Sequence, residues 1–244
     1  MCYCPVKILN PSRKFNNDMP VYISVPCGHC PDCLRNAHND WYFRAYMEYL
    51  YCKSKNGAVY FLTLTYNPEN LPHITFPDGR QQACFYKRHI HNFVKYVRIQ
   101  LQKRGYNYKE IKYLICCEYG KHGTCRPHYH PLFFFPMRVP WFVLFNSDPN
   151  KGELGVFVKA WHYGFIVCSR MGFEIRSAAG IRYASKYVCK QLGFYKEGPI
   201  YDYLHGVGCT KDVYKERRSL ISDLLPLSSS MLQSRMLSDN GFRA

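Results

Sequence analysis

The sequence predicts an α+β fold, an antiparallel β-sheet with flanking helices. Three observations point there. Residues 58–66, 111–118 and 128–135 are strand-length runs rich in β-branched and aromatic residues. Residues 34–52, 85–104 and 177–193 instead place apolar residues three and four apart, as helices with one buried face do. A Gly-containing connection, 119–127, separates the second and third strand runs, so these two are expected to pair as an antiparallel hairpin.

Composition narrows the classes. With 244 residues, 47% apolar and 17% aromatic, the chain can bury a proper core, as one large domain or one domain with appendages, and is not disordered. No apolar run reaches the length of a membrane span. The opening Met1-Cys2-Tyr3-Cys4-Pro5 lacks the charged-then-apolar layout of a secretory signal. Thirteen cysteines without such a signal indicate a reducing cytosol, with free thiols and some of them metal-bound. The net charge of +16 favours polyanionic partners, nucleic acid first, because Lys and Arg neutralise phosphate. An anionic membrane surface ranks lower. The basic residues are interleaved with Tyr and Phe and form no amphipathic terminal anchor.

In chain order, residues 1–33 form a Cys-rich element. Cys27 and Cys30 with Gly28 between them suit a knuckle around a structural Zn²⁺, and four thiolates could come from Cys2, Cys4, Cys27, Cys30 and Cys33, with His29 nearby. The alternative is a set of reduced, partly buried thiols. From Leu34 to about Cys52 the stripe Leu34, Ala37, Trp41, Ala45, Tyr49 predicts a helix with Asp32 as its cap. Residues 58–66 form a strand with Thr63 and Thr65 on one face and Leu62 and Leu64 on the other. Residues 67–83, with Pro72, Pro77 and Asp78-Gly79, read as a loop. The helix from Phe85 to Arg104 carries Lys87, Arg88, Lys95, Arg98, Lys103 and Arg104 on an acid-free polar face that suits phosphate.

In the 128–135 strand, His128 and His130 point to one face, about 7 Å apart along the chain, and Tyr129 points to the other. Pairing with residues 111–118 brings Glu118 beside His128. Two imidazoles and a carboxylate can hold one divalent metal. A second pair, His89 and His91, falls in a helical pattern, where a spacing of two turns side chains about 200° apart and cannot share a metal. Pro127 and Pro131 flank the first pair and predict a short or bulged strand. Residues 136–162 read as irregular or helical. Gly164–Cys168 and Phe173–Arg176 read as a last strand or hairpin around Met171-Gly172. The helix from Ser177 to Gly193 has the stripe Ile181, Ala184, Val188, Leu192, puts Tyr183 and Tyr187 on one face, and carries Lys186 and Lys190 alongside. The plain alternative is two boundary tyrosines packing on the sheet. Residues 201–244 form a basic, partly helical C-terminal appendage with Lys215-Glu216-Arg217-Arg218 and Ser228–Ser230.

These segments carry a resemblance. Pro127-His128-Tyr129-His130 looks like the HUH motif of rolling-circle replication initiators. Phe61-Leu62-Thr63-Leu64-Thr65-Tyr66 resembles their first, strand-borne motif, and Arg182-Tyr183-Ala184-Ser185-Lys186-Tyr187-Val188 resembles the two-tyrosine motif of initiators from the Microviridae. Val25 to Leu34 is similar to the opening of the gokushovirus members. The resemblance runs from about residue 25 to 195. It implies an HUH endonuclease domain over residues 34–200 with a ferredoxin- or RRM-like core. It also implies Mg²⁺ or Mn²⁺ on His128, His130 and Glu118, and tyrosine nucleophiles Tyr183 and Tyr187 assisted by Lys186. Arg126, Arg182 and Lys190 would contact DNA. The implied activity is a site-specific nick in phage origin DNA, single-stranded and duplex, through a 5′-phosphotyrosine that starts and ends rolling-circle replication. The setting would be the host cell cytoplasm, with host helicase and polymerase as partners. A transposase or relaxase would share the chemistry, but the chain is short and has no P-loop or extra integration domain in view. A non-catalytic zinc-containing nucleic-acid binder is the reading from a different class.

Overall fold

The computed structural model describes residues 2–28, 30–76, 78–120, 126–167, 173–193, 203–204 and 210–220. Its centre is a five-stranded antiparallel sheet. Strands β3 (Ala58–Phe61) and β4 (Thr63–Tyr66) lie end to end along one side of β8 (Pro127–Phe135), and β7 (Lys112–Tyr119) lies along the other. β9 (Gly164–Val167) pairs with the outer edge of β4. Two hairpins stand apart: β1 (Val6–Leu9) with β2 (Tyr22–Val25), and β5 (His73–Thr75) with β6 (Gln81–Ala83).

The expected α+β, antiparallel architecture with flanking helices is present and is consistent with an HUH-type fold. Alternation along the strands builds two cores. On one side Tyr60, Leu62, Leu64, Tyr129, Phe133 and Phe135 pack against α2 (Lys87–Lys103), α3 (Trp141–Phe145) and α4 (Val156–Ala160). On the other, Val59, Phe61, Leu132 and Phe134 pack under α1 (Pro31–Ser54) and α5 (Ala178–Gly193). Gly57 permits the turn from α1 into β3, because a Cβ there would lie 2.0 Å from the Phe135 carbonyl oxygen. No described helix is long and apolar enough to cross a membrane.

Several expectations change. The strand of the histidine pair is neither short nor bulged: it runs nine residues and is paired on both sides. Its proline acts on the neighbouring run instead. The Leu62 N–H donates to the Pro131 oxygen at 3.0 Å, but Pro131 has no N–H to return, so the 58–66 strand is interrupted at Leu62 without losing register. Residues 67–83 are not all loop, since β5 and β6 pair within them. Asp32 does not cap α1. Cys30 holds the cap position, while Asp32 sits buried in the first turn and pairs with Arg35.

Residues 164–176 make no hairpin among the described residues. β9 runs beside β4, and Phe173 to Ile175 continue along the same edge beside β3, with bonds from Phe61 N to Phe173 O and from Ile175 N to Val59 O, each 2.8 Å. Met171-Gly172 and Cys168 lie outside the described residues, as do Pro77, His29, Ser228–Ser230 and the side chains of Val188, Lys190 and Leu192. The basic helix α2 covers the sheet face opposite to His128 and His130, and two of its cations are engaged: Arg98 lies over the Tyr113 ring at 5.0 Å, and Arg104 pairs with Glu153 at 2.8 Å. Within the appendage, α6 (Lys211–Leu220) is helical.

Tyr129, between the two histidines, ties the central strand to α2. Its buried hydroxyl donates to the Tyr86 carbonyl and accepts from the Tyr86 N–H, both at 3.0 Å, at the start of the helix. Tyr129→Phe strands both backbone groups, so denaturant unfolding should register a loss of about 1–3 kcal/mol; an unchanged midpoint would remove this tie.

Candidate active site

The hairpin β7–β8 places Glu118 opposite His128, and Cys116 opposite His130. The carboxylate reaches diagonally: Glu118 Oε2 lies 3.2 Å from His130 Nε2. His130 is 5% exposed. Its other ring nitrogen, Nδ1, is 3.1 Å from Thr63 Oγ1 on β4. Phe61 lies nearly parallel to the imidazole at 5.8 Å between centroids, and the Tyr187 ring sits 4.0 Å from it.

His128 stands apart. Its ring is centred 6.4 Å from that of His130 and crosses it at 72°. It leans toward Gly120, where a Cβ would come within 3.3 Å of its Cε1. Burial lowers the His128 pKa, and the neighbouring His130 and Arg126 lower it further against the opposing pull of Glu118. A neutral imidazole is the form that binds a metal. Two imidazoles and a carboxylate suit a borderline cation such as Mn²⁺ better than the harder Mg²⁺. The donor chemistry therefore fits, but the three groups do not all converge within 4.8 Å, so His128 must turn for them to share one ion.

Helix α5 brings the tyrosines. Ile181 and Ala184 bury its lower face against Trp41, Ala45 and the sheet. Tyr183 and Tyr187, one turn apart, then stand over His130 with their hydroxyls 2.8 Å from each other. Tyr183 is 49% exposed, whereas Tyr187 is tucked against Phe61 and His130. Burial, followed by the Tyr183 hydroxyl, raises the Tyr187 pKa above its ordinary value, so its phenol is held protonated. Lys186 is exposed on the same helix. Arg126 is half-buried near His128, and the Arg182 guanidinium stacks over Tyr42 of α1 at 4.7 Å. The Lys190 side chain lies outside the described residues.

Phe61 and Thr63 complete the surroundings of His130. Their signal in the sequence was the alternation of the 58–66 strand, which put Phe61, Thr63 and Thr65 on one face. What it lacked was the neighbour on that face.

At the start of α1 a second donor cluster forms. The sulfur atoms of Cys2, Cys27, Cys30 and Cys33 all lie within 4.8 Å of one another. Cys4 is exposed and is not in this group, which corrects the five-cysteine set. Two backbone amides point at sulfurs, Cys27 N to Cys2 Sγ and Cys30 N to Cys27 Sγ, each at 3.3 Å. A hydrogen bond from the Cys33 backbone, with further help from Tyr3, lowers the Cys30 pKa to about 6. Four sulfurs at this spacing match the donor set of a tetrahedral structural site.

A family model described as replication-associated protein ORF2 matches residues 59–192, more than half of the chain. Replication-associated protein ORF2 of Spiroplasma virus 4 is 31% identical over 183 residues, covering 73% of this chain and 52% of that protein. The chain thus spans about half the length of the curated relative it matches. No solved structure matches. The family match begins in β3 and ends in α5, taking in the paired histidines, Glu118 and both tyrosines, and the chain belongs to the family of replication-associated protein ORF2.

Proposed function

We propose that this protein is a viral replication initiator that nicks and rejoins origin DNA through a tyrosine. The observation that carries the reading is the meeting of two tyrosine hydroxyls, 2.8 Å apart, beside a buried histidine with a carboxylate at its Nε2. A replication role accords with family membership and with the name of the Spiroplasma virus 4 relative. The net charge of +16 accords with DNA as the partner.

His128, His130 and Glu118 would hold a divalent cation, Mn²⁺ or Mg²⁺. Such an ion supplies Lewis-acid polarisation of a phosphodiester oxygen. The chain's own residues supply the remainder. A tyrosine oxygen attacks the phosphorus; a Tyr–O–P ester to the 5′ side forms as the bond to the 3′ oxygen breaks. The phenolic proton passes to the neighbouring hydroxyl and on to solvent, and the departing 3′ oxygen takes up a proton from water. Lys186 on the same helix lowers the cost of the phenolate or holds the phosphate. Because the ester is retained, a 3′-hydroxyl can reverse the step without ATP. The second tyrosine allows a second cut while the first remains attached. Arg126, Arg182 and Lys190 would track the DNA backbone. A structural Zn²⁺ on Cys2, Cys27, Cys30 and Cys33 would pin the N-terminus to the start of α1.

Three outcomes test this. His128→Ala and His130→Ala should each lower nicking of a single-stranded origin oligonucleotide by about 10²-fold or more, with DNA affinity nearly unchanged. Nicking at the wild-type rate with Mn²⁺ present would refute the metal role. On denaturing gels, Tyr183→Phe and Tyr187→Phe should each keep some covalent protein–DNA adduct and lose release of unit-length circles, while the double variant forms no adduct. One single variant losing all cleavage while the other circularises normally would make it a one-tyrosine enzyme. Elemental analysis of protein purified without added zinc should find one Zn per chain. Cys33→Ser should lose it and Cys4→Ser retain it; loss in Cys4→Ser would break the assignment.

A further inference from the structure

Thr63 lies at a position where strand geometry forces it against His130. The offset that pairs Phe61 with Leu132 and Leu64 with Tyr129 continues through the break and sets Thr63 opposite His130. The flanking pair, Leu62 with Pro131, carries the backbone bond from Leu62 N to Pro131 O. In an antiparallel ladder the next pair is therefore a non-hydrogen-bonded one, where Cα atoms approach to about 4.5 Å and side chains touch. Thr63 Oγ1 meets His130 Nδ1 at 3.1 Å as a result. Phe61 and Tyr187 cover the imidazole, and Glu118 faces Nε2. Thr63 is the described partner of Nδ1, and His130 is almost fully buried.

We infer that Thr63 is a positioning residue that sets which nitrogen of His130 carries the proton, and that it serves the ring in both metal-free and metal-bound states. The inference rests on the metal role proposed for His130. Only one ring nitrogen of a neutral imidazole bears hydrogen. Without a cation, Nε2–H can face the Glu118 carboxylate, and Nδ1 must accept; the Thr63 hydroxyl donates to it. For Nε2 to offer its lone pair to a cation, the proton must reside on Nδ1, which then donates to the same Thr63 oxygen. A hydroxyl is both donor and acceptor and rotates to suit either tautomer. A methyl group in its place can do neither, and a buried ring nitrogen without a partner disfavours whichever tautomer exposes it. Outer partners of metal-bound histidine act in this way, by holding the ring nitrogen that the metal does not take.

Thr65 supplies a comparison on the same strand and face. It is opposite His128, but its hydroxyl donates to the Phe165 carbonyl at 3.4 Å.

Binding of Mn²⁺ to the full chain, followed by the electron paramagnetic resonance signal of free Mn²⁺, tests the inference. His130→Ala defines the part of the binding that belongs to the histidine site. Thr63→Val and Thr63→Ala should weaken that part by about 10- to 100-fold. Thr63→Ser, which keeps the hydroxyl, should bind within a few-fold of the wild type, and Thr65→Val should bind as the wild type. In metal-free protein, ¹⁵N resonances of His130 should report a single tautomer with Thr or Ser at position 63 and a mixture with Val. If the wild type shows no His130-dependent Mn²⁺ binding, the metal role falls and the inference with it. If the wild type binds and Thr63→Val binds equally well, or if Thr65→Val weakens binding as much as Thr63→Val, the inference alone is overturned.

Discussion

The constraint on which the rest depends is that β8 is bonded on both sides while carrying a proline in its middle. Two-sided pairing fixes the register of β7 on one flank and of β3 and β4 on the other. Once register is fixed, alternation leaves no freedom: His128, His130, Leu132 and Phe134 face α1 and α5, while Tyr129, Phe133 and Phe135 face α2. Pro131 removes one ladder bond next to the site, yet Leu62 still donates to its carbonyl. The defect therefore interrupts the neighbouring strand locally and does not shift it.

The layers on either side of that strand have different roles. The α2 side is aromatic and closely packed, with Phe93, Phe133, Phe157 and Trp161 in mutual contact. Tyr66 bonds His89 at 3.1 Å on that side, and Tyr129 bonds the start of α2. Burial first, and His162 second, hold the His89 pKa near 4, so this histidine is neutral and structural. The α1 and α5 side is packed at one end and open at the other. Trp41, Ala45, Leu132 and Phe134 close the packed end, and the exposed Tyr183 and half-buried His128 lie at the open end. A rigid sheet backed by a dense core is a suitable platform for groups that must keep sub-ångström positions.

Seating α5 correctly is the remaining requirement, and α1 meets it. Tyr49 of α1 donates to the Arg176 carbonyl at 2.8 Å, just ahead of α5, and Arg182 of α5 stacks on Tyr42 of α1. The four-cysteine cluster gathers Cys2 and Cys27 onto the first turn of α1. The N-terminal segment, α1, α5 and the tyrosine pair are thus mechanically linked without any of the cysteines approaching His130.

Much of this was legible in the sequence because it depends on local periods. A spacing of two in an extended run puts His128 and His130 on one face and Tyr129 on the other. A spacing of four in a helix puts Tyr183 and Tyr187 together. A short connection between two strand-like runs brings Glu118 to His128. Each follows from backbone geometry that every residue shares. Tertiary structure decided what local period cannot: which strand lies at an edge, and which side chain stands across from another. The strand bearing His128 and His130 proved long and central, and residues 164–176 follow one sheet edge instead of folding back, because ladder bonds are made with distant segments. Cys4 fell outside the sulfur cluster although it is as close in sequence as Cys2. Thr63 gained His130 as a partner from 67 residues away. Such contacts arise only when loop closure brings remote segments into register.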